Sequence, residues 1–195
     1  MQLNDNYVLV RNLLSLIFAV AFLTACGDSS QQGSSKLVQT CETSEGISLE
    51  PRYLASLSEG ISFSKAGYPN FVSCVQGISV ADSTLGRWTD GFKSEIMFSD
   101  PLPEKFVLRI SAGAAPHWQN IPIKIVVGAR EFETKFGKSD SWTESKEVAI
   151  PVDSDGKARS IIFKFPDAKS PHDLGLSKDD RKLALFLINI KIEKY

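Results

Sequence analysis

The chain has little material for acid–base or metal chemistry. Its 195 residues include two histidines and three cysteines. His117 sits in Ala115-Pro116-His117-Trp118, and His172 in the turn-forming Ser170-Pro171-His172-Asp173. Neither has a second ligand at metal-motif spacing, and the two cysteines other than Cys26 are too few for a structural zinc site. A Gly-x-Ser-x-Gly nucleophile elbow is absent. Asp153-x-Asp155-Gly156 opens like a calcium loop, but Lys157 and Arg159 follow where carboxylates would be needed, so it reads as a hairpin turn. These absences predict a protein that is not an enzyme and takes no cofactor or metal.

A charge excess is lacking too. Twenty-two Lys and Arg face 23 Asp and Glu, a net charge of −1. No nucleic-acid partner is expected from such a balance, and no basic cluster is available for anionic lipid. Long apolar runs are also missing. Residues 13–23 fall short of the roughly 20 apolar residues of a membrane-spanning helix.

What that short run has is a sequel. It follows Arg11 and ends in Leu23-Thr24-Ala25-Cys26, which resembles a bacterial lipoprotein signal. Cys26 is then the lipidated first residue of the mature protein, held to the membrane by acyl chains at about 0.8 kcal/mol per buried methylene. The alternatives are an ordinary cleaved signal or a transmembrane anchor. The lipoprotein reading predicts a bacterial cell-envelope location, membrane-anchored and facing the periplasm. Asp28 stands one place beyond the position that sorts enterobacterial lipoproteins, so inner and outer membrane both stay open.

The expected organisation is a signal peptide at 1–25, a flexible Gly/Ser-rich tether at 26–36, an N-terminal extension at 37–59 and one domain at 60–195. With Cys26 lipidated, Cys41 and Cys74 remain. An even pair in an oxidising compartment predicts a disulfide; two unpaired thiols are the alternative.

From residue 60 onward the pattern is strand-like. Phe106, Leu108, Ile110 and Ala112 alternate with Val107, Arg109 and Ser111; Ile121, Ile123, Ile125 and Val127 form the next one-sided row. Phe132, Thr134 and Phe136 follow, then Val148, Ile150 and Val152, and after the Asp153–Gly156 turn Ile161, Phe163 and Phe165. The last segment, residues 183–193, is apolar on both faces: Leu183, Leu185 and Leu187 on one, Phe186, Ile188, Ile190 and Ile192 on the other. That predicts a central strand. Residues 51–57 read as two turns of helix or as irregular chain. About nine strands spaced at 8–12 residues, with Pro, Gly and Asp turns, predict an all-β antiparallel sandwich or jelly roll.

Several pieces carry a resemblance. They are Phe63-Ser64-Lys65 with Gly67-Tyr68-Pro69, Gly86-Arg87-Trp88-Thr89-Asp90-Gly91, Phe106-Val107-Leu108, Ile123-Lys124-Ile125-Val126-Val127-Gly128 and Phe165-Pro166. The most specific is Ser170-Pro171, Leu174-Gly175-Leu176-Ser177 and Asp180-Arg181-Lys182-Leu183. In this order they resemble the C-terminal β-sandwich domain of bacterial phosphoglycerol transferases of periplasmic glucan synthesis, a domain also attached to membrane glycosyltransferases. The resemblance implies the fold and an envelope-glycan setting. It implies no phosphoglycerol transfer, because the metal-dependent catalytic domain has no counterpart here.

Trp88, Trp118 and Trp142 are the candidate ligand-binding residues, since an aromatic face can cover the C–H face of a pyranose; core or loop anchoring is the alternative, favoured for Trp88. Asp90 and Arg181 are expected to be structural, paired across the chain where the first and last strands meet. The expected function is a lipid-anchored, non-catalytic accessory or glycan-binding module, with envelope glycan or a membrane glycosyltransferase or phosphoglycerol transferase as partner. A scaffolding lipoprotein that docks a membrane enzyme is the alternative.

Overall fold

The structure, a computed structural model, describes residues 38–39, 49–80, 84–136 and 145–195. Cys26, Cys41, Trp142, the signal and the tether lie outside the described residues. The strands are β1 (Val38–Gln39), β2 (Leu49–Glu50), β3 (Arg52–Tyr53), β4 (Ile61–Ser62), β5 (Tyr68–Pro69), β6 (Val72–Gln76) and β7 (Arg87–Asp90). They continue with β8 (Lys93–Phe98), β9 (Lys105–Ala114), β10 (Pro122–Val127), β11 (Arg130–Lys135), β12 (Lys146–Asp153), β13 (Ser160–Lys164) and β14 (Leu183–Lys194). A 3₁₀ turn at Pro116–Trp118 is the one helical element among the described residues.

Two antiparallel sheets make an all-β sandwich. One runs β11-β10-β13-β8-β6; the other runs β12-β9-β14-β4, with β7 also paired to β14. The period-2 alternation decides which side chains meet between them. Ile123, Ile125 and Val127 of β10, Ile161 and Phe163 of β13 and Ile96 of β8 are buried from one sheet; Phe106, Leu108 and Ile110 of β9 and Val152 of β12 from the other. Each such side chain contributes about 1.5–3 kcal/mol on leaving water. β14 is central, as its two-sided apolar sequence predicts, with β9 on one flank and β4 and β7 on the other.

Strict alternation in β14 is broken where it pairs with β9. A bulge between Leu187 and Asn189 shifts the register, so Ile190 and Ile192 oppose Ile110 and Leu108 and share the core with Leu185 and Leu187. The extra residue returns the second half of the strand to the inner face. Residues 51–57 are not helical. Arg52 and Tyr53 instead pair in parallel with Tyr68 and Pro69. At Gly67, φ is +79° and an added Cβ would overlap the Pro51 carbonyl, whose oxygen accepts the Tyr68 amide at 3.0 Å. Only glycine lets the extension lie this close.

Candidate ligand-binding face

The structure corrects one tryptophan. Trp118 is 1% exposed and sits in the core, edge-on to Phe165 with centroids 6.2 Å apart. Its indole Nε1 has no hydrogen-bond partner among the described residues. That orphan costs about 1–3 kcal/mol, against about 4–6 kcal/mol for removing some 200 Å² of aromatic surface from water. Burial wins, and Trp118 cannot stack on a ligand. Trp88 is half-buried on β7 and packs against Phe186 of β14, centroids 5.1 Å apart at 59°. Trp142 lies outside the described residues.

Asp90 and Arg181 do come to the same end of the sandwich, where Asp90 opposes Leu183. They do not pair with each other, and that expectation is corrected. The Asp90 carboxylate accepts the Lys182 amide at 3.0 Å. The Arg181 guanidinium forks onto Asp179, with Nη2 2.7 Å and Nε 3.0 Å from its oxygens. A partner two residues away in the chain needs no loop closure, so it is reached first. Cys74 is disulfide-bonded.

Residues 86–91 tie the chain together one by one. The Thr89 hydroxyl accepts the Leu185 amide at 2.9 Å, where the β7–β14 ladder is irregular. Gly91, at φ +100°, donates its amide to the Lys182 carbonyl. Arg87 carries the largest electrostatic load and was not singled out from the sequence. Its side chain is 0% exposed. Nη1 lies 2.7 Å from a Glu50 oxygen and 3.1 Å from the Tyr68 hydroxyl, Nη2 donates to the Lys65 carbonyl at 3.1 Å, and the guanidinium carbon sits 4.7 Å from the Tyr68 ring centre. Burial pushes the Tyr68 hydroxyl well above its ordinary range, against the pull of the Arg87 charge. An arginine and a glutamate 37 positions apart give no local signal; the only cue was Arg87 inside the family-like turn.

A second polar arrangement lies on the outer face of the β11-β10-β13-β8-β6 sheet. Residues that alternate outward line up in cross-strand rows. Gln76, Glu95, Ile162, Val126 and Glu131 form one row, one residue per strand. Lys93, Lys164, Lys124 and Glu133 form the next. Three lysines directly opposite one another would repel, and carboxylates answer them. Glu95 takes Lys93 at 2.9 Å, and Glu131 takes Lys124 at 2.9 Å and Lys164 at 3.0 Å. The hydrogen bonds from the two lysines hold the Glu131 carboxyl below its usual range.

Beside these rows is a cavity of about 280 Å³ lined by Ser73, Glu95, Met97, Phe98, Arg159 and Ser160. Its chemistry is mixed: a thioether and a ring, two hydroxyls, a carboxylate 8% exposed as a residue and a guanidinium. Such a set offers an apolar floor with donors and acceptors at its edge, the composition of a small-molecule site. It was legible only as the outward set Lys93, Glu95, Met97 of an alternating strand. Among the described residues, no group of three His, Cys, Asp or Glu could hold a metal ion.

At the Asp90 end, residues 170–182 form a loop bonded to itself. Ser170 and Asp173 exchange amide and side-chain bonds, Leu176 donates to Pro171, and His172 donates to the Asp179 carbonyl. The Ser170 hydroxyl and amide, with Lys182, hold the Asp173 carboxyl down to about 2. Leu176, at the tip, is 70% exposed.

Comparison with known proteins gives three findings. A family model described as Domain of unknown function (DUF7024) matches residues 49–194. Phosphoglycerol transferase I of Citrobacter koseri is 31% identical over 134 residues, 67% of this chain and 17% of that protein, and the Escherichia coli protein of the same name matches to the same extent. The chain therefore spans about a sixth of the length of these relatives. Among solved structures, a mutant of a family 29 carbohydrate binding module complexed with cellulohexaose aligns with TM-score 0.45 and 14% identity over 69% of this chain and 87% of that one. Another structure of family 29 aligns with TM-score 0.44 and 17% identity.

Proposed function

Because the chain belongs to the DUF7024 family, we propose that it is a non-catalytic accessory module that binds envelope glycan, held to the membrane through Cys26. The observation that carries the reading is the cavity on the outer sheet face, where Glu95, Arg159, Ser73 and Ser160 border Met97 and Phe98. A sugar presents hydroxyls that both donate and accept, around an apolar C–H face. A carboxylate accepts, a guanidinium donates and serines do both, while Met97 meets the apolar part with the buried Phe98 behind it. The volume suits one sugar ring. Similarity to a stretch of phosphoglycerol transferase I, 17% of that protein's length, supports the accessory-module reading; that protein's own activity is not carried over.

The test is retention of the full-length protein, in detergent, on immobilised glucans and peptidoglycan. Wild type should be retained, and Glu95→Ala or Arg159→Ala should elute early. A Trp142→Ala variant asks whether that residue adds to the same site. A scaffolding role has one observation in its favour, the exposed Leu176 on its self-bonded loop. No glycan retention, together with co-purification of a membrane enzyme that Leu176→Ser abolishes, would replace the first reading with this one.

A further inference from the structure

We infer that the glycan is an uncharged linear chain laid across the strands, with one sugar unit per strand from β6 towards β11. This rests on the glycan reading and adds the ligand's form and charge. The first observation is the row Gln76, Glu95, Ile162, Val126 and Glu131, which crosses all five strands on the face that carries the cavity. Neighbouring strands lie about 4.8 Å apart, close to the advance of one linked pyranose. A chain running along the row meets an amide, a carboxylate, two aliphatic side chains and a second carboxylate in turn. Ile162 and Val126 are only half-buried, so they offer apolar floor beyond the cavity.

The second observation concerns charge. Glu95 holds Lys93, and Glu131 holds both Lys124 and Lys164. The Arg159 guanidinium donates to the Ser99 carbonyl. The three lysines beside the row are engaged locally, so a polyanion would have to displace carboxylates to reach them. A neutral polyol needs no displacement, because paired carboxylates and ammoniums keep lone pairs and protons for hydroxyls. Binding of this kind releases few counterions and depends little on salt.

The experiment titrates the full-length protein in detergent with linear β-linked gluco-oligosaccharides of one to six units. Affinity should rise at least tenfold from the disaccharide to the pentasaccharide and then level off. Between 50 and 500 mM salt it should change less than twofold. Val126→Lys should weaken pentasaccharide binding at least fivefold and leave the disaccharide unchanged; Val126→Ser, a smaller change at the same position, is the second variant with the same split expected if the first does not fold. Binding that is independent of length, a variant effect equal at all lengths, or a steep loss with salt overturns this inference and leaves the glycan reading standing. If no oligosaccharide binds while immobilised glucan and peptidoglycan also fail to retain the protein, the glycan reading falls, and this inference with it.

Discussion

A guanidinium sealed from water is costly unless partners compensate its charge. Arg87 is held by Glu50, two neutral oxygens and a ring face, and its Nε has no partner among the described residues. Removing Glu50's charge leaves a buried cation uncompensated, which costs about 3–5 kcal/mol. Glu50→Ala should therefore lower the unfolding free energy by about that much in urea titration. Arg87→Met should lose less, because it removes charge and desolvation cost together. The double variant should fall well short of the sum; additive losses would mean the pair is not coupled. His117 makes a separate prediction. It is half-buried, its Nε2 has no partner among the described residues, and burial lowers its pKa, helped by the Lys169 charge and opposed by a backbone bond to Leu183. The folded state thus binds this proton less readily than the unfolded chain, whose histidine titrates near 6.5. Stability from His117 is present above that value and declines as pH falls through it. The melting temperature should drop between about pH 7 and 5 in wild type and drop less in His117→Asn. Equal slopes would show that the imidazole does not titrate against folding.

At the scale of elements, alternation is legible and its interruptions are not. β9, β10, β12 and β13 alternate as their sequences do, because each has one face in the core and a polar or mixed face outside. β14 is apolar on both faces, so its sequence fits either register, and the bulge at Leu187–Asn189 leaves no mark in it. The same holds for the extension. Residues 49–53 pair with other segments rather than with a local repeat, and nothing in the sequence around Glu50 points to Arg87, its partner 37 positions on. The reading of Trp118 failed for a related reason: it follows a loop-like Ala-Pro-His, yet the 3₁₀ turn at Pro116–Trp118 folds it back into the core. The irregular β7–β14 pairing has a testable consequence. Its stray Leu185 amide is satisfied by the Thr89 hydroxyl inside a buried site. Thr89→Val keeps the shape and removes the acceptor, which should cost about 1–3 kcal/mol, whereas Thr89→Ser should keep the bond and cost less. Equal losses in chemical denaturation would assign the effect to packing alone.

For the whole molecule, the proposed anchor and the fold compete for the same three cysteines. Cys74 is in a disulfide. On β6 it opposes Met97, whose side chain lines the outer-face cavity. Its partner has to be Cys26 or Cys41, since the sequence holds no other cysteine. A lipid-modified Cys26 has no free sulfur to bridge, so the anchor reading requires the bond to run from Cys74 to Cys41. β1, which ends at Gln39, lies beside β6, and Cys41 follows two residues later in sequence. Such a bridge closes a loop of roughly 30 residues and is worth about 3–4 kcal/mol if unstrained. It would fasten the chain to the sandwich edge between the membrane tether and the ligand-binding face, so that pull on the tether is borne by a covalent bond rather than by Glu50 and Arg87. Non-reducing peptide mapping of protein extracted from membranes tests both claims at once. The expected outcome is one linked peptide pair holding Cys41 and Cys74, and an acylated N-terminal peptide beginning at Cys26. In Cys26→Ala the linked pair should persist while the protein leaves the membrane fraction or keeps its leader. A linked pair holding Cys26 and Cys74 would overturn the anchor and the bridge together, because the same sulfur cannot carry both bonds.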